Sequence, residues 1–304
     1  MRPSSVHQRV VVGADLDLEF LPLAANGQPR DPAPVAGDLA VAVTRVSDGA
    51  TITPGSISAP TSPGHPATAT IAAADNNSID ELVATWTLDG VDHTRRVLVV
   101  GGAYVDIDTI ETAGHAPYPA LTQASDPDRK VRARSIAEIE CERITGRAWV
   151  PHMRRHTETV RGVGFELLVP DTDVRTLRSV QELSADGATI TKTWTAAELA
   201  AVKAHEHGVF ERLGSQWSNC LTTLVYDFGL DAPPFDLQEA VAKRYLYWLT
   251  RPESGVPDKA ISWSSAEGGT FRISTPGPGR TGDPDVDAVY LDYSADDDQL
   301  TVPW

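Results

Sequence analysis

The segment GPGRTG, residues 277–282, has the G-x-G-x-x-G spacing of dinucleotide-binding turns, in which glycines let a phosphate approach the first amides of a helix. Asp283-Pro284 stands where that helix should begin, and Pro276 and Pro278 flank the first glycine, so a loop is expected and no cofactor is assigned. Asp227-Phe228-Gly229 spells the metal-binding tripeptide of protein kinases. The Gly-rich loop, the Val-Ala-x-Lys strand and the His-Arg-Asp loop that accompany it there are missing, so a strand end with a turn glycine is expected. His152 with His156, and His205 with His207, have spacings that invite a metal. On a strand, however, positions i and i+4 lie roughly 13 Å apart and cannot share one ion, and the second pair stands at a helix end beside Gly208. Asp296, Asp297 and Asp298 lack the alternating ligands, central Gly and terminal Glu of a calcium loop. No G-x-S-x-G, H-E-x-x-H or Walker-type sequence occurs. The expectation is a chain that is not an enzyme, with no catalytic residue, no metal and no cofactor.

The elements that would hold any such residues fall into two characters. Up to about residue 100 the chain is rich in Thr, Val and Ala in short alternating runs, DLDLEFLPL, LAVAVTRV, TATIA and LVATWTL, the period of half-buried strands. Asn26-Gly27, Asp48-Gly49 and Asp89-Gly90 tolerate the positive φ of tight hairpins, and APTSPGHPA at 59–67 reads as an exposed loop between strands. A small β-sandwich is expected. Beyond Gly101-Gly102, VDIDTIETAG reads as a short helix with Ile107 and Ile110 on one face, ended by Gly114. The clearest helix spans 126–145, with Asp126 as N-cap, Pro127 in the first turn, an apolar stripe of Ala133, Ile136, Ala137, Cys141 and Ile144, and Gly146 as its stop. Residues 150–194 return to strand pattern with Asp186-Gly187 as a hairpin turn. Thr195-x-x-Glu198 is a capping box opening a helix to about His205. LTTLVYDF reads as a strand, and Leu237, Val241, Tyr245, Trp248 and Leu249 share the face of a second helix ended by Pro252. The remainder, Pro/Gly-rich and then acidic, reads as extended arms without a core.

The 304 residues carry 26 Lys+Arg against 42 Asp+Glu, a net charge of -16, which argues against a surface built to neutralise nucleic-acid phosphates. The two cysteines, Cys141 and Cys220, cannot form a multi-bridge framework, so a reducing compartment is expected. No signal-peptide pattern opens the sequence, and the longest apolar stretch, near residues 97–100, is too short to cross a bilayer; a soluble cytoplasmic protein is expected.

Four passages carry a resemblance to a known family: VVGGAYVDIDTIE; ARSIAEIECERITGRAWVP running into RRHTETVRG; VRTLRSVQEL and TITKTW followed by GSQWSNCLTTLVYDFG; and DKAISWSSAEGGTFRISTPGPGRTGDPDVDAVYLDY. Their order from residue 101 to 293 resembles that of the head-to-tail adaptors of long-tailed siphoviruses of actinobacteria, within the wider connector family of tailed bacteriophages. The fold this implies is α+β, with an immunoglobulin-like β-sandwich decoration domain at 1–101, a helical and β adaptor domain at 102–272 and an extended C-terminal arm at 273–304.

The resemblance also implies a structural virion protein at the head-tail junction, assembled in the host cytoplasm. Such proteins form a homo-oligomeric ring, typically of about twelve subunits, beneath the portal protein and above a stopper or other downstream tail protein. DNA passes through the central channel without sequence-specific binding, and no membrane is involved. The residues expected at the ring or portal interface are Arg132, Arg134, Glu138 and Glu142 on the first long helix, with Arg272, Pro276, Arg280, Val286, Tyr290, Tyr293 and Trp304 on the arm. The rival expectation is a glycan- or receptor-binding module of a phage tail that uses exposed tryptophans.

Overall fold

A computed structural model describes residues 8–23, 28–63, 65–107, 110, 127–160, 164–250, 262–264, 270–272 and 280–294. The chain is α+β, mostly β-sheet with a few helices, and divides into two compact units, each drawn from separated stretches of sequence. The first comprises His7–Gly102 and Val150–Asp231 and is rich in strands; the second includes Ala103–Trp149 and Ala232–Trp304 and holds the long helices.

In the strand-rich unit, residues 8–100 form two sheets that share one core. The larger has the order β1-β8-β7-β3-β4, from β1 (Gln8–Val11), β3 (Leu39–Arg45), β4 (Thr51–Ile52), β7 (Asp80–Leu88) and β8 (Val91–Val100). The smaller has the order β2-β6-β5, from β2 (Leu16–Phe20), β5 (Ile57–Ser58) and β6 (Ala67–Ile71). Along β7 every second residue is buried, the period a two-faced strand requires, and Leu82, Ala84 and Trp86 meet Leu18, Ala69 and Ile71 of the other sheet in a common cluster. The β7–β8 hairpin turns on Asp89 (φ 52°) and Gly90 (φ 76°), the paired left-handed conformations of a tight hairpin. The first strand is the exception to antiparallel pairing, running parallel to β8 from Gln8↔Val97 to Val11↔Val100. A sandwich is therefore present; Asn26-Gly27 lies outside the described residues.

Residues 150–231 add two more sheets. One has the order β12-β11-β15-β9, from β9 (His152–Thr159), β11 (Val174–Leu183), β12 (Ile190–Thr193) and β15 (Leu221–Phe228). The other has the order β10-β14-β13, from β10 (Glu166–Leu168), β13 (Val202–His205) and β14 (Val209–Arg212). Phe210, wholly buried, meets Tyr226 edge-on at 5.5 Å and so joins the small sheet to the larger one. The capping box forms as the sequence predicts: the Glu198 amide donates to the Thr195 hydroxyl, and the Thr195 amide donates to the Glu198 carboxylate. Its helix is shorter than expected. A single turn, α2 (Ala196–Ala200), gives way to β13, because Val202–His205 pairs with Val209–Arg212 around Gly208 at φ 76°. A Cβ at Gly208 would stand 2.4 Å from the Asp171 carbonyl oxygen, so only glycine fits this turn.

In the helical unit, α1 (Pro127–Thr145), α3 (Phe235–Thr250) and α4 (Pro284–Asp292) pack on one another, and β16 (Ser262–Ser264) pairs with β17 (Thr270–Arg272) as a hairpin. Of the α1 stripe, Ala133, Ala137 and Cys141 are buried and Ile136 and Ile144 half-buried; Gly146 at φ 68° ends the helix. The Asp126 cap lies outside the described residues, as do Gly114 and Pro252. Ile107 and Ile110 have helical backbone, with the Ile110 amide bonded to the Asp106 carbonyl at 3.1 Å. The fourth helix corrects the expectation of a wholly extended arm. Asp283 caps it by accepting from the amides of Asp285 and Val286, Pro284 occupies its first turn, and Val286 and Tyr290 are buried.

Candidate functional site

On α1, Arg134, Glu138 and Glu142 recur every four residues and so share one face. That face is covered by the chain's own segment at Tyr104. The Tyr104 amide donates to Glu138 Oε1 at 3.0 Å, its hydroxyl donates to Glu142 Oε1, and the same hydroxyl accepts the Trp149 amide at 2.8 Å. Trp149 in turn donates its indole N–H to Thr145 Oγ1 at 3.1 Å. Glu138 is 1% exposed, with Arg134 Nε 3.9 Å away, so it belongs to an interior clasp and not to an outer rim. Arg132, on another face of the helix, is exposed.

The C-terminal residues divide in the same way. Arg280 is exposed, whereas Val286 and Tyr290, 1% and 0% exposed, are core residues that fasten α4 to the bundle. In this chain their side chains face its own helices and not an outer surface. Burial raises the Tyr290 phenol above its ordinary pKa. Tyr293 donates to both Asp236 carboxylate oxygens at 3.0 Å, which raises its phenol, and meets Trp149 edge-on at 5.3 Å. Arg272 lies on β17 opposite Ser262; Pro276 and Trp304 lie outside the described residues.

A helix does follow the glycine motif of residues 277–282, contrary to the reason given for discounting it. Its amides are nonetheless occupied. Asp287 accepts from the Thr281 and Gly282 amides at 2.6 and 3.2 Å and from the Thr281 hydroxyl at 2.7 Å, and Asp283 takes the next two amides. A phosphate would have to displace two carboxylates and sit beside a third, Asp285, so the motif is a self-capped helix start.

The other motifs resolve structurally. Arg178 holds Asp227 through Nε at 2.9 Å and Nη2 at 2.7 Å; burial raises the Asp227 carboxyl and Arg178 offsets part of that rise. His152 is 5% exposed with its ring 5.5 Å from Phe228, and His205 lies 3.0 Å from Glu211. Among the described residues no group of His, Cys, Asp and Glu is arranged to hold a metal. Asp296, Asp297 and Asp298 lie outside the described residues. Neither cysteine is in a disulfide; Cys141 is buried and Cys220 half-buried. Burial raises the Asp171 carboxyl, which accepts from the Tyr226 hydroxyl at 2.7 Å and pairs with Arg154 at 3.1 Å. Trp86, Trp149, Trp194 and Trp217 are all buried; the last two stack at 5.0 Å, and the Arg212 guanidinium lies over the Trp194 ring at 4.2 Å. No described helix is long and apolar enough to cross a membrane.

Hydrophobic periodicity missed one feature of the helical unit, the buried pair Arg244 and Glu140. Its two bonds measure 2.7 and 2.9 Å, with the Trp248 indole donating to the same carboxylate at 3.3 Å. It also left unmarked the outward aromatics Phe235, 74% exposed, and Tyr247, 41% exposed; three turns apart on α3, they share its outer face with Glu239 and Lys243.

No protein-family model matches the chain, and no curated protein matches it. Solved chains that resemble parts of it include three from gene transfer agent particles. One, from the neck of a native gene transfer agent particle computed with C12 symmetry, is 15% identical, covers 64% of this chain and 94% of its own, and has a TM-score of 0.38. A second, from the virion of the native gene transfer agent particle, is 14% identical, covers 51% and 82%, and has a TM-score of 0.41. A third, from the neck of an empty particle computed with C6 symmetry, is 17% identical, covers 44% and 72%, and has a TM-score of 0.36. Likenesses this loose assign no role to the present chain.

Proposed function

We propose that the chain is a non-enzymatic structural subunit of a phage head-to-tail junction, an adaptor that closes into a ring beneath the portal and leaves a channel for DNA. The observation that carries this reading is the ordered resemblance of residues 101–293 to siphovirus adaptors. Its passages fall on defined elements: the Tyr104 clasp and α1, the sheet of β9, β11, β12 and β15, and the terminal helix α4. In this reading the chain is a virion component with portal and stopper proteins as neighbours, and the sandwich is an immunoglobulin-like element of the adaptor.

The ring and portal contacts then fall to outward residues, Arg132, Arg280 and the α3 face of Phe235 and Tyr247, with Arg272, Pro276 and Trp304 contributing from the C-terminal segment. A ring needs two different complementary patches per subunit, and a stable contact buries at least about 1,000 Å². The net charge of -16 suits a bore that lets DNA slide without adhering. Among the described residues, the burial of Trp86, Trp149, Trp194 and Trp217 counts against the glycan-binding rival, which needs tryptophans at the surface.

Negative-stain imaging of the purified protein, alone and mixed with a portal, tests the proposal. Rings or capped portals are expected. A protein that stays monomeric with portal present, yet is retained on cell-wall glycan, refutes it.

A further inference from the structure

We propose that the N-terminal sandwich is not an appended module but half of a single mechanical body, keyed to residues 150–231 by Arg178. Composition alone places a boundary at residue 101, yet the bonds of the strand-rich unit run across it. Arg178, on β11, grips the Asp227 carboxylate of β15 with Nε and Nη2 and donates its remaining arm, Nη1, to the Ile79 carbonyl at 2.8 Å, at the entrance to β7. A second arginine repeats the pattern from β9, where Arg155 Nη1 donates to the Val46 carbonyl at 3.3 Å, just past β3. At the crossing itself the Gly101 amide donates to the Pro151 carbonyl at 2.8 Å, and a Cβ on Gly101 would stand 2.9 Å from the Pro151 ring. β9 packs on both β7 and β8.

Charge explains why Arg178 is the key. Asp80, 3% exposed, sits next to Ile79 and accepts from the Ser47 and Glu81 amides at 3.2 and 2.7 Å. Burial, with a smaller push from Asp80, raises the Asp227 carboxyl, and Arg178 followed by Arg175 opposes that rise. The Asp227 carboxylate, from one half, and the Ile79 carbonyl, from the other, thus share one guanidinium, and without it Asp227 is left buried with its main partner gone. The guanidinium bonds the carboxylate through Nε, keeps Nη2 in ion-pair contact with it and gives Nη1 to a third acceptor; an ammonium cannot reproduce that spread of donors. Arg178 is therefore a positioning residue. The sandwich is a fixed part of the body, whatever particle it belongs to.

Amide hydrogen exchange on the full chain tests this. In the unaltered protein, the slowest amides of β7–β8 and of β11–β15 should open together, with protection within about threefold and the same dependence on denaturant. Arg178→Ala should split them, lowering protection over 79–100 at least tenfold more than over 221–228, and Arg178→Lys should restore only part of the coupling. Arg155→Ala, which leaves the carboxylate grip intact, should give a smaller split in the same direction. Should Arg178→Ala fail to fold, the unaltered protein and Arg155→Ala decide the matter. Separate openings with different denaturant slopes in the unaltered protein, or an Arg178→Ala effect confined to 174–228, would overturn the proposal.

Discussion

Replacing Tyr290 by alanine distinguishes a docked terminal helix from a free arm. The side chain is 0% exposed and lies on α4 with Val286, which is 1% exposed, against a bundle whose facing residues include the buried Cys141 of α1. Truncating a fully buried aromatic removes its transfer free energy and leaves a cavity, together about 3–5 kcal/mol. With a urea slope of about 2 kcal/mol/M for a unit of this size, a loss near 4 kcal/mol lowers the unfolding midpoint by about 2 M. The change should appear in probes of the helical unit, with the slope unaltered. A truncation that removes residues 280–304 should act in the same direction and more strongly, since it also removes the Asp287 knot and the Tyr293 bond to Asp236. The protein left behind would be destabilised, not merely unable to dock. A midpoint shift equivalent to less than about 1 kcal/mol for Tyr290→Ala, well below the cavity cost, would refute the docked helix.

Arg244→Ala should cost about 3–5 kcal/mol by stranding the buried Glu140, and replacing both residues by apolar ones should recover most of that; chemical denaturation of the single and double variants checks it. Gly208→Ala combines left-handed backbone with a contact of 2.4 Å and should lose more than about 2 kcal/mol. Gly214→Ala, at the same φ of 76° with nothing within 4 Å, should lose about 1–2 kcal/mol, and equal losses would discredit the steric account of the turn. The Lys192 ammonium and the Thr195 amide hold the Glu198 carboxyl at about 2, below its ordinary 4.5. Its contribution to the α2 turn is therefore present above pH 4.5 and is lost as pH falls towards 2. A carboxyl titration followed by NMR should show this, and Lys192→Met should move the midpoint upward; a midpoint near 4.5 in the unaltered protein would contradict it.

Local signals were the legible ones. Asp89-Gly90, Asp186-Gly187 and the Thr195 capping box each settle a few dihedrals within a few residues, so their chemistry is visible in the text of the chain. The terminal helix was legible too but was masked by its surroundings: Asp283-Pro284 is the same cap-and-proline pair that announced the helix at Asp126-Pro127, and the glycines and prolines before it drew attention to a loop. Long-range polar pairing was not legible. Glu138 and Glu140, on different faces of α1, both look solvated until Tyr104 and Arg244, distant in sequence, arrive to bury them. Of the expected interface residues, periodicity could mark charged and aromatic positions but could not separate Arg132, which is exposed, from Glu138, Val286 and Tyr290, which are interior.

The parallel pairing of β1 with β8 sets an order of events during synthesis. The strand β1, Gln8–Val11, has no ladder partner until Val97–Val100 leaves the ribosome, and the body that includes it is completed only when β15 appears. Between those moments the whole of α1 is translated, and its own bundle waits for α4, near the end of the chain. Contacts of such wide sequence separation are slow to close. A growing chain therefore carries two unfinished cores at once, one awaiting β15 and the other awaiting α4.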